Sequence, residues 1–265
     1  MKIKKTTKLR SYSEQELSGT RFDRNIYRDT GIFIFKKVLS EKIISKLQKI
    51  WKEYYEDLQK NGGRNIDNRN SVNFKDILPA ELQNFYKTKD IKKIAKQIFG
   101  NNVGLYNTRI TFKEKKTNTE VFLHQDFCYH LGFPEKCSLF VPFFKCGEDE
   151  GGLTFHLGSH QYGFLGDAGQ IDKSKFIKFQ TLTPSLEPGD ILVMNSLTWH
   201  ESGPNISEKD RVLFDIIIQP SNDPSSIDLI SGEWMTEFWI EERKNTDFSI
   251  DELFINSRIK KLKEK

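Results

Sequence analysis

The chain changes its hydrophobic rhythm near residue 100. Before that point apolar residues recur at three- and four-residue intervals. Ile43, Ile44, Leu47, Ile50, Trp51, Tyr54, Tyr55 and Leu58 follow Ser40, an N-cap residue type, and predict an amphipathic helix packed on something larger. Shorter helices are predicted over residues 78–86 and over residues 91–99, the second with Asp90 as its cap and Gly100 as its stop. Residues 31–38, GIFIFKKV, are rich in β-branched and aromatic side chains and predict an early strand. Residues 61–76 are polar and turn-rich, the composition of a loop over a site.

From Val103 onwards short apolar runs are divided by Gly, Pro, Asn and Asp. They predict strands over residues 105–113, 121–127, 138–144, 153–157, 176–181, 191–195 and 212–219. So many short strands predict a sandwich or barrel, and a jelly roll resolves the exposed-edge problem for this number. Helices are predicted again over residues 233–243 and 250–262. Neither a repeat nor a linker divides the chain, which therefore reads as one domain over residues 1–265. Residues 1–100 form its mainly helical part, 101–220 its β core and 221–265 its C-terminal helices. The fold class is mainly β with α, the helices buttressing one face of a β-barrel.

Composition supports this picture and narrows the function classes. The 21 Phe, 8 Tyr and 4 Trp supply a packed interior, and a mean hydropathy of -0.58 excludes a membrane-embedded class. No run is long enough to span a bilayer, and the basic first residues lack an apolar segment behind them, so export is not expected. Cys128, Cys137 and Cys146 form no CxxC pair and make a poor disulfide framework, which suits a reducing cytoplasm. The net charge of +4 comes partly from basic residues at both ends. Without an aromatic-interleaved platform beside them they read as solvated ends rather than a nucleic-acid surface. The expected partner is a small molecule, with neither nucleic acid nor membrane involved, and oligomeric state leaves no signal in the sequence.

The candidate chemistry sits in His124-Gln125-Asp126, with His200 and Arg211 downstream. On a strand, His124 and Asp126 project from one face and Gln125 from the other. With His200 as a third ligand they give two imidazoles and one carboxylate, the donor set of a non-haem Fe(II) oxygenase that keeps positions open for substrates. Cys128, two residues past Asp126, is an alternative ligand that would favour zinc, against a plainer reading as a small buried residue. Arg211 stands eleven residues after His200, across the turn-forming ESGPNISEKD, and opens the next strand. An arginine inside a barrel needs an anion, and its planar fork suits a carboxylate such as the C5 end of 2-oxoglutarate.

These landmarks occur in a known order. GIFIFKKVLSEKIISKL, HQD, GGLTFHLGSH and LEPGDILVMNSLTWHESGPNISEKDR together resemble the phytanoyl-CoA dioxygenase family of Fe(II)/2-oxoglutarate oxygenases, over roughly residues 31–220. The resemblance implies a double-stranded β-helix, a cupin-like jelly roll. It implies that His124, Asp126 and His200 bind Fe(II), and that Arg211 binds 2-oxoglutarate. Asn107 and Arg109, two apart on the predicted strand NTRITFK, look like the amide and arginine that line the site of ectoine hydroxylase in this family, and would address 2-oxoglutarate or substrate. Family halogenases replace the metal carboxylate with a small residue. Asp126 therefore implies a dioxygenase that uses O2 and 2-oxoglutarate to hydroxylate or desaturate an unidentified small polar metabolite or biosynthetic intermediate. The alternative is a cupin-like metal-dependent sugar or acid isomerase or binding protein that does not use 2-oxoglutarate.

Neighbouring residues carry plainer expectations. His130, His156 and His160 read as buried, hydrogen-bonded histidines in preference to substrate contacts, with His160 bracing a loop. Trp199 reads as packing, and Phe127 and Tyr129 as pocket wall or core. Glu201 stands either behind a metal ligand or at the surface. Asp215 reads as a carboxylate escaping at the barrel rim rather than pairing with a cation. Residues 62–73 and 161–175, with Arg64, Asn65 and Gln161, are the candidate lids.

Overall fold

The structure is a computed structural model that describes residues 10–60, 71–73, 78–130, 132–164, 178–223 and 226–228. Among them the strands form two sheets. The larger contains β1 (Ser18–Gly19), β2 (Ile32–Phe35), β3 (Ser71–Asn73), β4 (Gly104–Lys113), β6 (Cys137–Pro142), β9 (Ile191–Asn195), β11 (Arg211–Gln219) and β12 (Ile227–Asp228). Its order is β1-β2-β9-β6-β11-β4-β12, with β3 also paired to β4. The smaller contains β5 (Val121–His124), β7 (Leu153–His156), β8 (Thr181–Leu182) and β10 (His200–Ser202), in the order β5-β10-β7-β8. Only β1 and β2 pair in parallel; the other pairings are antiparallel.

Strand β11 shows how the sequence specifies the layers. Every residue of RVLFDIIIQ is buried, because each face of the strand meets a different interior. Val212, Phe214, Ile216 and Ile218 face outward onto helices α2 (Glu41–Lys60), α3 (Ala80–Gln83) and α4 (Lys89–Phe99), through Ile44, Leu47, Trp51, Leu82, Ile91 and Ile94. Trp51 packs its ring 5.3 Å from that of Phe112 on β4. Leu213 faces inward, joining Ile32, Ile34, Phe140, Phe155, Leu192 and Met194 between the two sheets. Each fully buried side chain of this size contributes roughly 1.5–3 kcal/mol. The helices therefore buttress the outer face of the larger sheet, as the helical spacing predicts. The inner face carries apolar packing at one end and polar residues at the other.

Several local expectations are corrected. The predicted helix over residues 78–86 divides at Asn84 into α3 and a 3-10 turn, Phe85–Lys87. Helix α4 starts at Lys89, with Thr88 at its N-cap, and Asp90 lies inside the first turn. There its charge complements the helix dipole instead of capping. The polar stretch over residues 61–76 is not wholly loop: Ser71–Asn73 adds a strand to β4, because the open edge offers backbone pairing whatever the side chains. The predicted strand over residues 121–127 ends at His124, and Asp126–Tyr129 is a 3-10 turn. Helix α1 (Arg24–Thr30) was not apparent from spacing, since seven residues hold less than two periods. The predicted helices over 233–243 and 250–262 lie outside the described residues, as do Arg64, Asn65 and most of the 161–175 lid.

Gly31 ends α1 in the left-handed conformation, φ 84°, with its N–H on the Tyr27 carbonyl at 2.8 Å. An added Cβ would lie 2.4 Å from Thr198 Oγ1 and 2.6 Å from His160 Nδ1. Gly31→Ala is therefore expected to destabilise the fold by roughly 1–3 kcal/mol, read as a lower urea midpoint. An unchanged midpoint would show that this turn yields without strain.

Candidate metal centre and carboxylate pocket

Strand β10 lies between β5 and β7 in the smaller sheet, with His200 opposite His124 on one side and Phe155 on the other. The register brings the two imidazoles together, their ring centroids 4.2 Å apart. Asp126 arrives from the 3-10 turn rather than from the strand, so the alternation of faces is not what places it. One ligand atom from each of His124, Asp126 and His200 falls within 4.8 Å of the other two, all three residues being buried.

The hydrogen bonds fix which atoms face inward. His124 Nδ1 donates to the Phe122 carbonyl at 2.7 Å, and His200 Nδ1 donates to the Thr198 carbonyl at 3.0 Å. Both Nε2 atoms are therefore lone-pair donors, and they face Asp126 Oδ1 at 3.4 and 3.7 Å. Burial, and then the proximity of His124, pushes His200 down to about 4, so it is neutral at pH 7 and able to ligate. Burial opposes ionisation of Asp126, but Arg109, His200 and His124 outweigh it and hold the carboxyl well below the usual carboxylate range. Two imidazoles and a carboxylate fit a divalent iron.

Cys128 stands outside this set: its thiol donates to the Gln125 carbonyl at 3.0 Å. Gln125 points away from the triad, as its parity predicts. Its amide donates to the carbonyls of Gly163 and Leu197 at 2.8 and 2.7 Å, tying the turn to two loops.

Arg211 and Lys113 are cross-strand partners at one end of β11 and β4. Both are buried, at 3% and 1% exposure. No ion pair of Arg211 occurs among the described residues, and its Nε has no hydrogen-bond partner. Burial, followed by the charge of Arg211, lowers Lys113 to about 7. Its ammonium donates to the carbonyls of Ser202 and Gly203. The Ser202 hydroxyl is itself buried and has no hydrogen-bond partner among the described residues. A buried cation pair in which neither member has an ion pair among the described residues is costly unless an anion arrives, and the C5 carboxylate of 2-oxoglutarate suits these donors. Lys113 and Ser202 escaped the sequence reading. Parity could have found both, since Lys113 follows Asn107 and Arg109 on alternate positions and Ser202 follows His200 by two.

The remaining candidates separate. Arg109 donates through Nε to Asp215 Oδ2 at 2.8 Å and through Nη2 to Asp126 Oδ2 at 3.3 Å. Asp215 is fully buried and paired, not at the rim: the inner face of β11 has no exit to solvent there. Burial raises its carboxyl to about 6 despite Arg109. Asn107 is partly exposed on the inner face of β4, its Oδ1 accepting from the N–H of Thr108 at 2.9 Å.

His130 differs from expectation. Its ring is 5% exposed, lies 4.9 Å from that of Tyr106, and neither nitrogen has a hydrogen-bond partner among the described residues. His160 braces α1 as expected, bonding the Arg28 carbonyl at 2.9 Å. His156 Nε2 lies 3.5 Å from Glu201, away from the triad. Trp199 packs on Leu123 and Phe179. The Tyr129 ring stands 6.0 Å from His124, and Phe127 contacts Phe164 at 5.7 Å.

Comparison with known families agrees with this geometry: the model of the phytanoyl-CoA dioxygenase (PhyH) family matches residues 27–213. The chain belongs to that family. It is an iron- and 2-oxoglutarate-dependent oxygenase, with a triad whose donor set fits the metal. The sequence matches no curated protein.

Solved structures share the fold at low identity. The carbocyclase SnoK from nogalamycin biosynthesis aligns with a TM-score of 0.65 and 17% identity, over 85% of this chain and 92% of its own. EctD from S. alaskensis with 2-oxoglutarate and 5-hydroxyectoine aligns at 0.64 and 16%, over 76% of each chain. AviO1 from Streptomyces viridochromogenes Tue57 aligns at 0.63 and 19%, over 76% of this chain and 95% of its own. No helix among the described residues is long and apolar enough to cross a membrane.

Proposed function

We propose that the protein hydroxylates a small polar metabolite or biosynthetic intermediate in the cytoplasm. In this reading His124, Asp126 and His200 hold Fe(II), while Arg211, helped by Lys113 and Ser202, holds the distal carboxylate of 2-oxoglutarate. The observation that carries the reading is Arg211, a buried guanidinium without a carboxylate partner among the described residues. A cupin-like isomerase or binding protein that ignores 2-oxoglutarate has no use for it.

Held by His124, Asp126 and His200, Fe(II) would supply the coupling of 2-oxoglutarate decarboxylation by O2, giving succinate and CO2, to insertion of the other oxygen atom into a substrate C–H bond. The chain's own contribution is placement. Arg211 and Asp215 lie four residues apart on one face of β11, about 13 Å of strand. Lys113, the cross-strand partner of Arg211, donates to the carbonyl of Ser202, two residues from His200 on β10, so a dicarboxylate anchored at Arg211 would extend its keto acid end toward the triad. His124 and His200 keep their Nε2 atoms free because their Nδ1 protons are committed to backbone carbonyls.

The substrate's side of the site is read from His130. A buried polar group left unpaired costs roughly 1–3 kcal/mol, so a hydroxyl or carbonyl on the substrate would find a ready partner there. Phe122, on the strand face it shares with His124 and 48% exposed, offers an apolar wall at the mouth. The three cysteines are buried and form no disulfide among the described residues, which supports a reducing compartment.

The test is an anaerobic titration of the apoprotein with Fe(II) and then 2-oxoglutarate. The visible charge-transfer band of the chelated keto acid is expected on the second addition. A metabolite screen should then give coupled succinate release and a product heavier by one oxygen. Absence of the band with iron loading confirmed would return the weight to the reading without 2-oxoglutarate.

A further inference from the structure

Asp215 is a fully buried carboxylate on the inner face of the barrel for which neither metal binding nor 2-oxoglutarate binding has a use. Its cross-strand partner in the β11–β4 register is Arg109, so the pair is set by strand pairing itself. Arg109 divides its guanidinium between two carboxylates, giving Nε to Asp215 Oδ2 at 2.8 Å and Nη2 to Asp126 Oδ2 at 3.3 Å. Asp126 is correspondingly divided. Its Oδ1 faces the two imidazole Nε2 atoms, and its Oδ2 faces Arg109.

We infer that Asp215 and Arg109 are positioning residues that hold Asp126 as a one-oxygen ligand and so keep a coordination position from being taken by its second oxygen. This rests on the reading of the triad as the iron site. The argument is steric and electrostatic. A carboxylate beside a divalent ion can chelate through both oxygens, which would use a place that 2-oxoglutarate and O2 require. Oδ2 engaged with a guanidinium is not available for that. A guanidinium alone in the interior would swing toward whichever anion was nearest. Asp215, bonded to Nε, fixes its plane and balances its charge.

The experiment uses Co(II) as the probe, with calorimetry for affinity and visible ligand-field absorption for coordination number. The wild-type protein should bind one Co(II), and His200→Ala should not. Should the wild type fail to bind, or His200→Ala bind equally well, the triad reading falls and the positioning role with it.

With the triad upheld, Arg109→Gln should weaken Co(II) binding by about 10–100-fold and alter the ligand-field band as Asp126 becomes free to use both oxygens. The nearly isosteric Asp215→Asn should move affinity and spectrum in the same direction by less. Arg109→Lys should recover part of the affinity, because it keeps the charge without the fork. The double variant Arg109→Gln/Asp215→Asn should be no worse than Arg109→Gln alone, since Asp215 acts through Arg109.

Affinity within twofold of wild type and an unchanged band in Arg109→Gln and Asp215→Asn would overturn the inference. Losses that multiply in the double variant would do the same. If Arg109→Gln does not fold, Asp215→Asn and Arg109→Lys decide the matter by the same two readouts.

Discussion

Replacing His200 with alanine is expected to abolish formation of the iron–oxoglutarate charge-transfer band and all coupled succinate release. Iron affinity should fall by more than the roughly 10–100-fold that loss of an outer hydrogen-bond partner costs, because one of the three donors is gone. The imidazole is buried between β5 and β7, near Phe155 and His124. Asp126 would then keep its bond to Arg109 but face a single Nε2. The variant should remain folded, since the backbone pairing of β10 does not depend on the side chain, and circular dichroism checks this. Retention of the band in a folded His200→Ala protein would remove His200 from the metal sphere and leave the family assignment without its site.

That His200 was visible in the sequence at all follows from its chemistry rather than its structure. A histidine eleven residues before an arginine, with a turn between them, is a pattern that survives without coordinates. The strand argument brought His124 and Asp126 together by a partly wrong route. Strand β5 stops at His124, and a 3-10 turn carries Asp126 inward. Periodicity reads the repeat of an element but not its last residue, where capping and tertiary contacts decide.

The buttressing helix α2 was legible because it offers more than five turns of amphipathic spacing, whereas α1 offers fewer than two. Parity could place Lys113 and Ser202 on the face of the site, but their meaning, like that of Asp215, lies in what stands across the barrel. A lysine at a strand end reads as solvated until its partner strand places Arg211 opposite. Asp215 reads as a rim carboxylate until Arg109 is found beside it in register. His130 was misjudged for a related reason. The expectation of a satisfied buried histidine is a statement about most sites, and the sequence does not say which atoms stand around a given ring.

Arg211→Ala is expected to raise the 2-oxoglutarate concentration needed for half-maximal turnover, and for half-maximal charge-transfer absorbance, while leaving Fe(II) affinity within about threefold of wild type. Truncating one partner of a buried, hydrogen-bonded charge pair costs about 2–5 kcal/mol, which is roughly 30- to 4,000-fold in a dissociation constant. The effect should fall toward the lower part of that range. Lys113 stays in place across the strand pair and the Ser202 hydroxyl remains free to donate, so the carboxylate would not be left without donors.

Arg211→Lys should recover charge but not the bidentate fork, and so lie between alanine and wild type. The apoprotein gives an independent check on the same side chain. Arg211 is fully buried without an anion among the described residues, so its removal relieves a desolvated charge. Arg211→Ala should therefore be no less stable than wild type without 2-oxoglutarate, and should lose most of the stabilisation that added 2-oxoglutarate gives the wild type in the presence of metal. An unaltered 2-oxoglutarate requirement in the folded variant would sink the anchor assignment. The buried cation pair at the end of β4 and β11 would then be a structural feature of this barrel, and the cosubstrate's carboxylate would have to be sought at Arg109 or Asn107 instead.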